Sequence, residues 1–230
     1  MPANSSRPDS IVVAIDGPSG SGKSTVARGV AARLGLRYVD TGAMYRALTW
    51  WAISLDVDLA ETDRVASLAR ELPLQLGTDP ADPHVFVDGN DIGDAIRLPE
   101  ISAAVSAVAT NLGVREELVR RQRAFAAEGG VVIEGRDITT VVAPDAPVRV
   151  LLTASEATRL ARRALEVHGS DDEAALEATR DQVVRRDADD STVATFTVAA
   201  DGVTVVDSSH LTPDETIEAV LTLVPAEARQ

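Results

Sequence analysis

Residues 17–24 read Gly17-Pro18-Ser19-Gly20-Ser21-Gly22-Lys23-Ser24, a glycine-rich run closed by a lysine and a hydroxyl. The G-x-x-x-x-G-K-[ST] spacing suits a bound polyphosphate. Gly17, Gly20 and Gly22 tolerate positive φ, so successive backbone N–H groups can turn inward around an anion. The Lys23 ammonium would meet the β- and γ-phosphates and the Ser24 hydroxyl a Mg²⁺ ion, with Thr25 nearer the α-phosphate. The loop therefore predicts a bound nucleoside triphosphate. Lys23 is the only lysine of the chain; apart from the histidines, every other basic side chain is an arginine. A guanine-reading Asn-Lys-x-Asp needs a second lysine, so a GTP switch protein is excluded.

Three further clusters mix acids with arginines: Asp40-Thr41-Gly42-Ala43-Met44-Tyr45-Arg46, Val131-Val132-Ile133-Glu134-Gly135-Arg136-Asp137, and Arg185-Arg186-Asp187-Ala188-Asp189-Asp190-Ser191. A phosphoryl-transfer enzyme with a second substrate pocket needs this set. Arginines hold an acceptor phosphate, polar groups read a base, and a carboxylate sits near Mg²⁺. Residues 169–173 (Gly-Ser-Asp-Asp-Glu) interrupt two helical stretches that carry Arg159, Arg162, Arg163, Arg180, Arg185 and Arg186. Beside a phosphate loop, this pair reads as a lid that closes over the phosphates and excludes water. The plainer alternative is a solvated helical hairpin with i,i+4 ion pairs.

The elements that must carry these residues alternate. Residues 11–16 are an apolar, β-branched run, expected as a buried parallel strand. A helix over 23–34 follows, with Val26, Val30 and Leu34 in phase and Gly35 as a stop. Short strands are expected at 37–39, 130–134, 148–152 and 203–207, and helices at 43–55, 61–71, 99–111, 113–128, 138–142, 155–168, 172–187 and 212–223. Strands alternating with helices imply a parallel sheet covered on both faces. Residues 73–93 break the rhythm with short antiparallel strands, so 42–97 reads as an insertion over the carboxyl edge of the sheet.

A length of 230 residues suits one α/β domain with an insertion, and 45% apolar residues suffice for a core of Val, Leu, Ile and Ala. The absence of cysteine rules out disulfides, thiolate catalysis and zinc–thiolate sites. No apolar run is long enough to span a bilayer, and the first ten residues, mostly polar, read as a loose tail without a signal-peptide core. A soluble cytoplasmic protein is expected. The net charge of −14 argues against a nucleic-acid surface, so anionic nucleotides must meet arginines focused in one cleft.

The segments IDGPSGSGKST, YVDTGAMYR, GVREELVRRQRAF, EGRDITTVVAPDAPV and RRDADDST, in that order from residue 11 onward, resemble the bacterial cytidylate kinase family. The resemblance implies the P-loop NTPase fold, a three-layer α/β/α sandwich around a central parallel sheet. Its core would be 11–41, 98–156 and 188–225, its monophosphate-binding insertion 42–97 and its helical lid 157–187. It further implies Mg²⁺-dependent transfer of the ATP γ-phosphoryl group to CMP or dCMP by a cytoplasmic monomer, with no nucleic-acid or membrane partner. Arg46, Arg136 and Arg186 match acceptor-phosphate arginines, which with Lys23 would be the catalytic cations. Thr41 stands beside the nucleotide, Ser106 and Arg115 match cytosine-pocket positions, and Asp190 matches a residue near the ribose hydroxyls. Asp137 matches a carboxylate facing the base. An ionised carboxylate only accepts hydrogen bonds, which suits the amine of cytosine and repels the carbonyl of uracil.

Glu134 stands where relatives often carry Asp, and with Ser24 is the expected Mg²⁺ site, directly or through water. Asp16 is a second carboxylate near the phosphates. One position departs from the family pattern: Val193 stands where an arginine commonly follows Asp-Ser-Thr, so a lid arginine such as Arg185 replaces it or acceptor affinity is lower. A kinase for a different monophosphate and a nucleotide-binding module without turnover are the competing readings.

Overall fold

The computed structural model describes residues 11–229, with the backbone alone at 181 and 182; the ten residues expected as a polar tail lie outside the described residues. Strand β1 (Val12–Asp16) is buried along its whole length, as an unbroken β-branched run covered on both faces should be. It lies parallel between β6 (Val131–Gly135) and β7 (Val148–Thr153), and β2 (Arg37–Asp40) and β8 (Thr204–Asp207) complete the order β2-β6-β1-β7-β8. The register aligns the strand ends: Asp16 pairs with Gly135, and Asp40 with Glu134. Gly17, Thr41 and the Arg136-Asp137 pair therefore emerge at one carboxyl edge, where open α/β sheets bind ligands.

Helices α1 (Lys23–Leu34) and α8 (Pro213–Thr222) cover one face, where Val26, Val30, Ile217 and Val220 pack on Val13, Ile15 and Val150. The opposite face is covered by α5 (Leu112–Glu128) and a π-helical turn at Ile138–Val142. Each fully buried Val, Leu or Ile contributes about 1.5–3 kcal/mol, so the aliphatic composition builds the sandwich without aromatics. Helices on both faces of a parallel sheet make the three-layer α/β/α fold expected from the sequence.

After β2 come α2 (Thr41–Ser54) and α3 (Thr62–Glu71), followed by an antiparallel sheet of β3 (Leu74–Leu76), β4 (Val85–Val87) and β5 (Asn90–Asp91). The apolar centre of this region takes in Leu48, Leu68 and Val87 together with Val108 of α4 (Pro99–Ala109) and Val114 and Leu118 of α5. The stretch 42–97 thus completes its core with two helices that follow it in sequence.

Helices α6 (Glu156–His168) and α7 (Glu173–Asp190) form a hairpin that turns at Gly169, and the Asp172 side chain caps α7 by accepting from Ala175 N at 2.9 Å. Helix α7 runs three residues past its expected end at 187. Acids at a helix C-terminus oppose its dipole, which is why the sequence points to a loop. Here Asp187 and Asp190 are neutralised by arginines from other elements.

Candidate active site

The glycine loop joins β1 to α1. Gly20 (φ 76°) and Gly22 (φ 87°) hold left-handed conformations that side chains disfavour, and a Cβ on Gly20 would stand 2.5 Å from the Arg159 carbonyl. The Lys23 ammonium donates to the Pro18 carbonyl at 3.3 Å, curled over its own loop. Burial lowers its pKa; the Glu134 carboxylate works against this, while Arg136 and Arg186 add to it. A desolvated ammonium among other cations is stabilised by an arriving anion.

Ser24 Oγ donates to Glu134 Oε1 at 2.6 Å, and Tyr38 donates to the same oxygen at 3.2 Å. Burial and the nearby Asp40 push the Glu134 carboxyl up to about 6, against the pull of Lys23 and Ser24. Among the described residues, no three acids or histidines gather into a cage for a metal ion. A hydroxyl and a carboxylate side by side at a phosphate loop are hard oxygen donors of the kind Mg²⁺ takes, with substrate phosphates and water filling the remaining positions. The residues present fit that ion.

A second set of charged and polar groups lies across the same cleft. Asp40 caps α2 through Ala43 N at 2.9 Å and also binds Arg46 Nη2 at 2.8 Å, aiming the guanidinium inward from the helix start. Thr41 Oγ1 donates to the Glu134 carbonyl at 2.8 Å. Arg115 is paired with Asp137. Arg136 bridges Asp187 at 2.7 Å and Asp190 at 2.9 Å, and its guanidinium stacks on the buried Phe196 ring 4.3 Å away. Arg186 is held more loosely, 3.7 Å from Asp190, and its Nε is buried without a hydrogen-bond partner. Burial, reinforced by Arg136 and Arg46, pushes the Arg186 pKa down to about 10. Lys23, Arg46, Arg136 and Arg186 all line one cavity of about 540 Å³, together with Glu134 and Asp137. Of these four cations, Arg46 and Arg136 are paired with acids of the chain, while Lys23 and Arg186 are held only loosely and gain most from an arriving anion.

Several expected residues stand elsewhere. Ser106 does not line this cavity: α4 turns Ser102, Val105 and Ala109 toward it, and Ser106 reaches only Asp190, at 3.5 Å. Asp16 is no phosphate-side carboxylate. It is buried, does not line the cavity, and accepts from Ile138 N, Thr139 N and Thr139 Oγ1 at 2.6–2.8 Å, holding the π-helical turn. Arg185 is exposed and faces a small crevice beside Ser106; Arg162, Arg163 and Arg186 of the same hairpin line the main cavity, as does Val193. Among the described residues, Arg180 makes exposed ion pairs with Glu156 and Glu177.

The sequence reading missed Asp187. It accepts from the loop N–H of Ser19 at 3.1 Å while holding Arg136 and Arg159, and Arg159 in turn donates to the Ser19 carbonyl at 2.8 Å. Burial would raise its carboxyl, yet these partners hold it below the usual range. Arg162 likewise ties α6 to the Ser21 carbonyl and to Ser208. The Arg-bearing helices and the acid–arginine cluster at 185–191 are the sequence signals, and they do not show which acid reaches the loop.

A phosphate loop at the carboxyl edge of a parallel sheet, sharing one cavity with arginines from the sheet edge and from a helical hairpin, defines a P-loop phosphotransferase. The profile of the cytidylate kinase family matches residues 13–226, and the chain belongs to that family. It is 52% identical to the cytidylate kinase of Cutibacterium acnes, over 95% of this chain and 98% of that one. The cytidylate kinase of Streptomyces griseus is 49% identical, over 94% and 93%, and that of Rhodococcus opacus 48%, over 94% and 95%.

Proposed function

We propose that this chain transfers the γ-phosphoryl group of ATP to CMP or dCMP, with Mg²⁺, giving CDP or dCDP and ADP. Family membership supports the reaction. The observation that carries the residue assignment is the convergence of Lys23, Arg46, Arg136 and Arg186 on one cavity beside the glycine loop. Lys23 and the loop amides hold the β- and γ-phosphates. Ser24 and Glu134 would hold Mg²⁺, which would supply charge neutralisation at the donor phosphates. Arg46, Arg136 and Arg186 hold the acceptor phosphate in line with the γ-phosphorus. An oxygen of that phosphate bonds to phosphorus while the β–γ bridging oxygen leaves with the bonding pair on ADP. The attacking group is already an oxyanion, so no side chain needs to act as a base, and catalysis is positioning plus charge neutralisation.

Asp137 accepts from the cytosine amine, Arg115 orients Asp137, Thr41 stands beside the nucleotide and Asp190 serves the ribose. Ser106 acts through Asp190. Arg163 is better placed than Arg185 to answer the missing charge at Val193. Residues 157–187 act as the lid and 42–97 as the monophosphate-binding insertion. No described helix is long and apolar enough to cross a membrane; a cytoplasmic monomer is the state we assign. The test is steady-state ADP release with CMP as acceptor, for the wild type and Arg46→Met. The variant should raise the KM for CMP at least about tenfold and leave the KM for ATP nearly unchanged. Equal effects on both would remove Arg46 from the acceptor site.

A further inference from the structure

Phe196 is the largest fully buried side chain among the described residues, 1% exposed, yet it belongs to none of the three apolar clusters that fill the sheet faces and the region after β2. It sits in the stretch between α7 and β8, outside any helix or strand. Val193 and Ala194, just before it, line the cavity without adding charge. The Phe196 ring lies instead against the face of the Arg136 guanidinium, whose central carbon is 4.3 Å from the ring centroid. The negative face of an aromatic ring attracts a guanidinium, and more strongly where water is excluded; Arg136 is itself largely buried. In the guanidinium plane, Nη1 reaches Asp187 at 2.7 Å and Nε reaches Asp190 at 2.9 Å. No hydrogen bond among the described residues engages the third nitrogen, Nη2, which leaves that atom for a ligand in the cavity that Arg136 lines.

We propose that Phe196 is a positioning residue for the acceptor-phosphate arginine: its ring fixes the plane of the Arg136 guanidinium so that Nη2 meets the incoming phosphate. The proposal rests on the CMP reading given under Proposed function. Hydrogen bonds to a guanidinium lie in its plane, whereas the stack acts on its face. A phosphate oxygen can therefore displace Asp187 or Asp190 from an edge without disturbing the ring contact. The two acids alone cannot hold the orientation through that exchange, because they are the groups with which the phosphate competes. The ring keeps the fork aimed into the cavity before and after the exchange, and in-line transfer tolerates little tilt of the acceptor. Without the ring the guanidinium tilts once an acid is displaced, and the acceptor phosphate is held less tightly.

Two replacements separate the charge distribution of the ring from its volume. A trifluorinated phenylalanine incorporated at position 196 keeps nearly the same shape and drains the negative face, while Phe196→Leu removes the ring. Steady-state ADP release, with CMP and ATP each varied, is read together with Tm. A wild type that does not phosphorylate CMP refutes the CMP reading itself, before any replacement is compared. With an active wild type, the trifluorinated ring should raise the KM for CMP about fivefold, with a monofluorinated ring in between. The KM for ATP should stay within about twofold. Phe196→Leu should raise the KM for CMP further and also lower Tm, because it leaves a cavity. An unchanged KM for CMP with the trifluorinated ring overturns the proposal, whatever Phe196→Leu does to Tm, as does an equal rise in both KM values. Should Phe196→Leu not fold, the fluorinated series decides in the same way.

Discussion

The two ends of the cleft hold their positive charge in different ways. At the proposed donor end, residues 17–25 supply the positive charge from one continuous stretch, and Lys23 rests on a carbonyl of its own loop. At the proposed acceptor end, Arg46, Arg115, Arg136 and Arg186 come from α2, α5, the turn after β6 and α7. Three of those four are already bound to acids of the chain: Asp40, Asp137, and the Asp187–Asp190 pair. The donor site is a preformed positive well. The acceptor site stores its arginines as internal ion pairs, which keeps buried guanidinium groups tolerable without ligand. A substrate phosphate must then compete with those carboxylates. Asp187 links the two designs, because the same carboxylate touches a loop N–H and two arginines.

The largest expected effect separates these designs at once. Lys23→Ala should lower kcat by about a hundred- to a thousandfold with almost no change in Tm, because that side chain serves an anion and supports no packing. A normal rate, measured by ADP release, would end the reading of the loop. Arg136→Met should do both kinds of damage. It removes an acceptor-phosphate contact and also leaves Asp187 and Asp190 short of a partner, which costs about 3 kcal/mol when a buried pair is broken. Thermal unfolding should show Arg136→Met well below Lys23→Ala; equal Tm values would mean that the ion pairs carry no stability.

The two buried carboxylates at the strand ends offer a finer comparison. Asp16 is saturated by backbone and hydroxyl donors, yet burial, opposed by the Thr139 and Ile138 bonds, pushes its carboxyl up to about 6. A carboxyl whose folded pKa is raised binds its proton more tightly in the folded state than in the unfolded one. Stability from this group therefore falls as pH rises from about 4 to about 6, by roughly 3 kcal/mol, and stays level above that. Asp16→Asn should lower Tm while leaving both KM values nearly unchanged, and should flatten that slope in denaturant titrations; a shift in the KM for ATP would return Asp16 to the phosphate site. The smallest effect concerns the latch. Asp187→Asn removes a competitor for Arg136 and Arg159, so calorimetric titration should show CMP binding tighter by a few-fold. Weaker binding would mean that Asp187 organises the arginines for the substrate instead of competing with it.

The same contrast explains what the sequence disclosed. The glycine loop was legible because eight neighbouring residues carry the whole motif between a strand and a helix. Asp40 and Arg46 were legible as one cluster because a helix start brings them together. Asp187 was not, since its contact with Ser19 spans 168 residues and depends on α7 lying against the loop. Ser106 was placed in the pocket because a matching position does not fix the rotation of a helix; α4 turns its neighbours Ser102 and Val105 to the cavity instead. Asp16 looked like a phosphate-side acid because the donors that capture it, at 138 and 139, belong to a turn whose backbone no local pattern reveals. The order of strands and helices was readable throughout from apolar periodicity. The third strand of the small sheet, only two residues long, was not.

Everything at the arginine-lined end of the cleft turns on its accepting a cytidine monophosphate. The most direct measurement is ADP formation from MgATP by the wild-type chain against CMP, dCMP, UMP, AMP and TMP in parallel. CMP and dCMP should run far ahead of the other three. AMP or TMP in the lead, or no ADP above background with any acceptor, would contradict that assignment.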